Sequence, residues 1–107
     1  MTDPTLVFIE ERNEGQGPDI VVNFGVFSGR DATDAEVDRL AHALLDEIEA
    51  VEVLREQRHE FDREAEATVY QVRVRLPREA EARIGHFASL VEGWAADCIG
   101  ERLLLSP

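Results

Sequence analysis

The strongest constraint on the fold is the strict alternation of side chains in residues 68–76. Successive side chains of a β-strand point to opposite faces of the sheet. The segment therefore predicts a strand with one apolar face and one polar face. The apolar positions are Tyr70, Val72, Val74 and Leu76, and the polar positions between them are Gln71, Arg73 and Arg75. A sheet built around this strand buries only one face, so any helices must cover that same face.

Three further segments are predicted as strands. Residues 6–9 form a short apolar run, and residues 20–27 have one fully apolar face and one mixed face, as in a central strand. In residues 51–61 the apolar face is interrupted, because polar side chains occupy the inward positions between Val53 and Phe61. We expect this strand to lie at an edge of the sheet or to overhang the core.

Two helices follow from the spacing of apolar residues. Thr33 and Glu36 have the spacing of a capping box, which predicts the start of the first helix. Apolar residues then recur at intervals of three and four through residues 37–48. A second stripe of the same kind covers residues 84–99, and Gly100 is predicted to end that helix.

The order β-β-α-β-β-α predicts a single α+β domain over residues 1–107. A right-handed crossover between the second and third strands leaves room for the fourth strand between them. The predicted fold is a two-layer sandwich with both helices on one face of a four-stranded antiparallel sheet. Its strand order, 1-2-4-3, makes it a ferredoxin-like variant. Two β-β-α units packed with pseudo-symmetry are an alternative, but the two halves show no residue-level repeat.

The charge excludes two classes of partner. The chain has 23 acidic residues against 11 basic ones, all arginine, and its net charge is −12. Nucleic acids and anionic membranes both require cationic surface, so we expect neither as a partner. The sequence has no apolar run of membrane-spanning length and no signal-peptide pattern at its start, and Cys98 is its single cysteine. These features predict a cytoplasmic protein without disulfides.

The chemistry-bearing residues do not form a recognisable catalytic or cofactor motif. His42 and Asp46 are four apart on the first helix, but a metal needs a third or fourth ligand that the spacing does not supply. Residues 25–30 precede a helix and could hold a phosphate, yet three carboxylates follow within residues 31–36 and would repel it. Cys98 lies on an apolar stripe, as a buried cysteine does. We expect no metal or cofactor, and the sequence favours a function other than catalysis.

Two regions are candidates for an interaction surface. Arg55, Arg58, Arg73 and Arg75 all lie on the second hairpin among glutamates, so they are predicted to form either cross-strand ion pairs or a charged recognition face. The second region is the C-terminal run Leu103, Leu104 and Leu105. Three consecutive leucines must fold back onto the core or contact another subunit.

Two functional hypotheses follow. The first is a non-catalytic protein-interaction module that binds a protein partner or forms a homodimer. The second is a small-ligand-binding protein or minor enzyme with an apolar pocket between the sheet and the helices. Its predicted lining consists of Phe24, Tyr70, His86 and Trp94. The same residues are also natural core residues, and a sealed core would argue against a pocket there.

Overall fold

The computed structural model describes residues 6–12 and 16–105, without the side chains of residues 101–105. Its strands are β1 (Val7–Glu10), β2 (Asp19–Val22), β3 (Glu52–Phe61) and β4 (Glu66–Arg75). Its helices are α1 (Phe24–Ser28), α2 (Asp34–Leu45) and α3 (Ile84–Leu105), and a 3₁₀ segment (Arg78–Arg83) precedes α3.

The four strands form one sheet in the order β1-β2-β4-β3, and every neighbouring pair is antiparallel. This confirms the predicted strand order. Val74 of β4 faces Ile20 of β2 on one side and Val53 of β3 on the other. One row of apolar side chains therefore crosses these three strands at Val74.

The core lies on one face of the sheet, under α2 and α3. Trp94 of α3 joins the two helices, because its indole Nε1 donates a hydrogen bond of 2.9 Å to the backbone carbonyl of Glu36. The buried side chains come from the sheet and from all three helices, and they include Ile20, Val22, Phe24, Leu40, Leu44, Val72, Val74, Phe87, Val91 and Ala95. The placement of both helices on one sheet face follows from the one-sided alternation of β4.

A capping box begins α2, as the sequence predicts. The hydroxyl of Thr33 accepts a hydrogen bond from the Glu36 amide at 3.2 Å, and the Glu36 carboxylate accepts one from the Thr33 amide at 2.9 Å. Arg30 adds two hydrogen bonds to the same carboxylate, at 2.6 and 2.8 Å. These bonds, Arg30 first, lower the pKa of Glu36 to about 2.

The second predicted strand is too long. β2 ends at Val22, and Phe24–Ser28 form one turn of helix that ends at Gly29, whose φ is +76°. Gly25 allows this turn to approach β4, because a Cβ at Gly25 would lie 2.9 Å from the Tyr70 amide nitrogen. The alternation of residues 20–27 is compatible with one long strand and also with a strand followed by a helical turn. The close contact between Gly25 and β4, which is distant in sequence, favours the helical turn.

The predicted end of the last helix is also wrong. α3 continues through Gly100 to Leu105. A glycine inside a helix costs about 1 kcal/mol relative to alanine. The packing of Phe87, Val91 and Trp94 in the core outweighs that cost.

The β3–β4 hairpin extends well beyond the rest of the sheet. All ten residues of β3 pair with β4, but β2 pairs only with the last four residues of β4, from Val72 to Arg75. We call residues 52–56 and 71–75 the inner half of the hairpin, and residues 57–61 and 66–70 the outer half. The predicted overhang and edge position of β3 are therefore confirmed.

Candidate functional site: the β3–β4 hairpin

Arg73 lies at the centre of the sheet face that is opposite the helices. Its guanidinium contacts Glu56 at 2.7 Å, Asp19 at 2.8 Å and Glu10 at 3.1 Å. The Arg73 side chain is only 11% exposed. Burial alone would lower the pKa of Arg73, but the hydrogen bonds to these three carboxylates outweigh it and raise the pKa above its ordinary value.

Asp19 is the common partner of the arginines on this face. Its carboxylate is 1% exposed and lies 2.9 Å from Arg12 and 3.7 Å from Arg75, in addition to its contact with Arg73. Arg75 also contacts Glu52 at 3.4 Å. A buried carboxylate is tolerated only when it is paired, so these arginines have a structural role.

Arg55 also has a structural role, on the opposite face. It donates a hydrogen bond of 3.1 Å to the carbonyl of Ala32 and contacts the Asp34 carboxylate at 2.7 Å. Both partners lie at the start of α2. The ion pair thus connects the middle of β3 to the helix layer.

Arg58 differs from the other three predicted arginines. It lies in the outer half of the hairpin, is exposed, and has no ion-pair partner within the parts of the chain that the structure describes. Arg63 of the hairpin turn and Arg78 of the 3₁₀ segment share this property. The predicted arginine surface is therefore divided, and only Arg58 remains available for a partner.

The outer half of the hairpin is exposed on both faces except at Val69 and Tyr70, which are half-buried. Every β3 residue from Gln57 to Phe61 is exposed, as are the facing residues from Glu66 to Thr68. Phe61 is 70% exposed. This is the highest exposure among the large apolar side chains that the structure describes, which also include the exposed Val26 at 51% and Ile9 at 46%.

The hairpin is nearly neutral on a strongly acidic protein. Residues 52–75 contain five arginines and six carboxylates, a net charge of −1. The rest of the chain therefore carries −11 of the total of −12. The near-neutrality comes from the inner half, because the outer half and its turn, residues 57–70, contain two arginines and four carboxylates.

Among the strands that the structure describes, β3 has one backbone edge that no other strand pairs with. It lies at the end of the strand order, and β4 occupies only one of its sides. At the other end of the sheet, β1 has only four residues. Short edge strands give little opportunity for pairing with another chain, whereas a ten-residue edge is a template for it.

The structure does not gather the predicted pocket residues into one place. Phe24 and Trp94 pack in the core with their ring centroids 5.7 Å apart. His86 lies on the exposed side of α3, where its Nε2 is 2.8 Å from the Glu47 carboxylate. Tyr70 is partly buried beside Gly25 of α1.

A cavity of about 500 Å³ lies elsewhere, at the end of the sheet where β3 begins. It is lined by Ala50, Pro77, Arg83 and Phe87, and by the carboxylates of Glu47, Glu49 and Glu79. None of the four predicted pocket residues borders it.

The single cysteine is unreactive by its surroundings. Cys98 is 1% exposed, and Arg39 donates a hydrogen bond of 3.2 Å to its sulfur. Burial raises the pKa of the thiol to about 11, so it stays protonated at neutral pH. Cys98 is therefore a core residue.

One predicted part of the site stays untested, and one residue of the site was not predicted. The side chains of Leu103, Leu104 and Leu105 are outside the described residues, so the predicted contact of that run stays a prediction. The role of Asp19 was missed, although its position carried a signal. It immediately precedes the apolar run of β2, on the face that β4 occupies with Arg73 and Arg75.

Comparisons with protein-family models, with curated proteins and with solved structures find no match to this chain. In the part of the chain that the structure describes, no helix combines the length and the apolarity needed to cross a membrane. The function has to be inferred from the geometry of the residues themselves.

Proposed function

We propose that this domain is a non-catalytic protein-interaction module that forms a homodimer through the outer half of the β3–β4 hairpin. The observation that carries the proposal is the exposure of residues 57–61 and 66–68, with Arg58 unpaired among the described residues and Phe61 70% exposed. Every other arginine named in the predicted surface is held by a carboxylate of its own chain.

The energetics of the hairpin support a partner. A two-stranded hairpin with both faces in water is only marginally stable by itself. Burying a phenylalanine that is otherwise exposed contributes about 1.5–3 kcal/mol. Contact at Phe61 would therefore stabilise both the interface and the outer half of the hairpin.

The charge distribution favours a second copy as that partner. Two chains of net charge −12 repel each other wherever their acidic surfaces approach. Residues 52–75 carry only −1, whereas residues 31–50, which include α2, carry −6, so two copies meet at a lower electrostatic cost through the hairpin than through α2.

Light scattering on two matched charge reversals tests the proposal. Arg58 and Arg78 are both exposed and both lack an ion pair among the described residues, but Arg78 lies in the 3₁₀ segment, outside the hairpin. We expect the unaltered chain and Arg78→Glu to have twice the 12.0 kDa mass of one chain. We expect Arg58→Glu to weaken dimerisation about tenfold or more, because it places a like charge in the contact.

Two results would overturn the proposal. One is a monomeric mass for the unaltered chain up to about 1 mM, which would correspond to an affinity too weak for a specific dimer. The other is an equal loss of mass in Arg58→Glu and Arg78→Glu, which would mean that net charge, and not the hairpin, controls association.

The second candidate function is small-ligand binding at the cavity beside Phe87. Its volume of about 500 Å³ lies within the range of small-molecule sites. Glu49 and Glu79 at its margin favour a cation with an apolar body, because Arg83 and His86 already contact Glu47. An NMR titration with benzylamine tests it: saturable shifts confined to Glu79 and Phe87 would support binding, and unsaturable shifts spread over the acidic surface would reject it.

A further inference from the structure

We infer that the two copies pair β3 with β3 in an antiparallel arrangement centred on Gln57, so that the two sheets join into one. This inference rests on the proposed homodimer and specifies its register. In such a pair, Gln57 faces Gln57 of the second copy across a two-fold axis perpendicular to the sheet. The helices of both copies then lie on the same face of the joined sheet.

The length of its outer edge favours β3 as the strand that pairs with a second copy. Pairing between sheets needs a strand edge with unpaired backbone groups, and the longest edge in the described sheet is the ten-residue side of β3 that faces away from β4. A two-fold contact uses the same patch on both copies, so the patch must be complementary to itself. A strand that runs antiparallel to its own copy meets this condition.

The charges of β3 select the register. With Gln57 at the centre, Arg58 of each copy faces Glu56 of the other, which gives two ion pairs across the new edge. This supplies the carboxylate that Arg58 lacks among the described residues of its own chain. Glu56 is available for it, because its side chain is 40% exposed and only its Oε1 is hydrogen-bonded to Arg73.

The same register also covers the exposed aromatic ring. Phe61 of each copy faces Val53 of the other, and Val53 already packs against the margin of the core. Across a directly facing pair, side chains approach closely enough to bury the ring against the partner. The 70% exposure of Phe61 is then a property of the single chain only.

Neighbouring registers are less favourable. Centring the pair on Arg58 or on Glu56 places two like charges directly opposite each other, which is destabilising. Centring it on His59 leaves the inner part of β3 unpaired. A register in which Gln57 faces Arg58 of the second copy turns the helices of the two copies to opposite faces, and it leaves Arg58 without a carboxylate.

Charged residues on an edge strand can also serve to prevent pairing. A protective edge of that kind would keep the chain monomeric. The β3 edge differs in that Glu56 and Arg58 lie on either side of Gln57, so that they face each other when the strand pairs with its own reverse, while the like charges Glu52 and Asp62 meet only at the end of the paired segment. Disulfide cross-linking distinguishes an edge that pairs from an edge that prevents pairing.

Disulfide cross-linking with two single-cysteine substitutions tests the register. In Gln57→Cys, the two new cysteines would face each other with Cα atoms about 4.5–5.5 Å apart, within the reach of a disulfide. In the matched control His59→Cys, on the same strand and face, they would be displaced by four residues, or about 13 Å along the strand. The unaltered chain, with buried Cys98 alone, controls for background.

We expect mild oxidation to convert Gln57→Cys to a covalent dimer and to leave His59→Cys and the unaltered chain uncross-linked. Suppose that light scattering shows a dimer and that Gln57→Cys does not cross-link faster than His59→Cys. The register is then overturned while the proposed homodimer stands. A monomer in light scattering with no cross-link in either variant overturns both.

Discussion

The inner and outer halves of the β3–β4 hairpin are built from the same two strands in one register, yet they use charge differently. In the inner half, Arg73 is 11% exposed and contacts three carboxylates, including the buried Asp19. In the outer half, Arg58 is exposed and has no ion pair in the described chain. The difference begins where β2 ends and β4 loses its second neighbour.

This comparison shows that the position of a charge relative to the sheet decides its role. An arginine next to β2 is surrounded by the side chains of three strands and is partly desolvated, so its ion pairs are firmly held. An arginine beyond β2 is in water, where an ion pair is worth at most about 1 kcal/mol. Arg73 therefore helps to hold the fold together, and Arg58 is available to contact a partner.

The largest expected effect comes from breaking the inner cluster. Asp19→Ala leaves Arg73, at 11% exposure, without its buried partner. We expect a loss of about 3–5 kcal/mol in the free energy of unfolding, measured by urea denaturation. Glu60→Ala in the outer half is the matched control and should change stability by less than about 0.5 kcal/mol. Equal losses in the two variants would contradict the division of the hairpin.

The Arg30–Glu36 pair provides a second example of a firmly held charge, and it can be tested by pH. The pKa of Glu36 is lowered from 4.5 to about 2, so its ion pair stabilises the fold above pH 4.5 and this contribution is lost as the pH falls to 2. We expect Glu36→Gln to be on the order of 3 kcal/mol less stable than the unaltered chain at pH 7. At pH 2 we expect the difference to have largely disappeared, and a difference independent of pH would contradict this account.

The junction between the two halves can be tested at Gly25. In Gly25→Ala, the new Cβ would lie 2.9 Å from the Tyr70 amide nitrogen and 3.0 Å from its Cβ, so α1 or β4 must move. We expect a loss of about 1–3 kcal/mol in urea denaturation. Gly93→Ala is the control: it lies inside α3 with no atom within 4 Å of the added Cβ, and it should stabilise the protein by about 0.5–1 kcal/mol. Loss of stability in both variants would argue against a specific contact at Tyr70.

The smallest effect on stability is expected in the outer half itself. Arg58→Ala removes an exposed side chain without an ion pair, so the free energy of unfolding at a concentration where the chain is monomeric should change by less than about 0.5 kcal/mol. A larger change in urea denaturation would mean that Arg58 supports the fold of the single chain.

The strand order could be predicted because one-sided alternation in β4 and the crossover rule leave few arrangements. The capping box of Thr33 and Glu36 is local, and it too was predictable. The helical turn at Phe24–Ser28 was not, because its formation depends on contact between Gly25 and Tyr70, which are distant in sequence. The division between the paired arginines and Arg58 could not be predicted either, because it depends on how far β2 extends along β4.

Amide hydrogen exchange at two protein concentrations tests the central claim most directly. If β3 pairs with a second copy, the alternate backbone amides of β3 that point away from β4 should exchange more slowly at high concentration than after dilution. The amides of β2 should show no such dependence, because β2 has strand neighbours on both sides within the chain. Exchange rates in β3 that are independent of concentration would contradict the account.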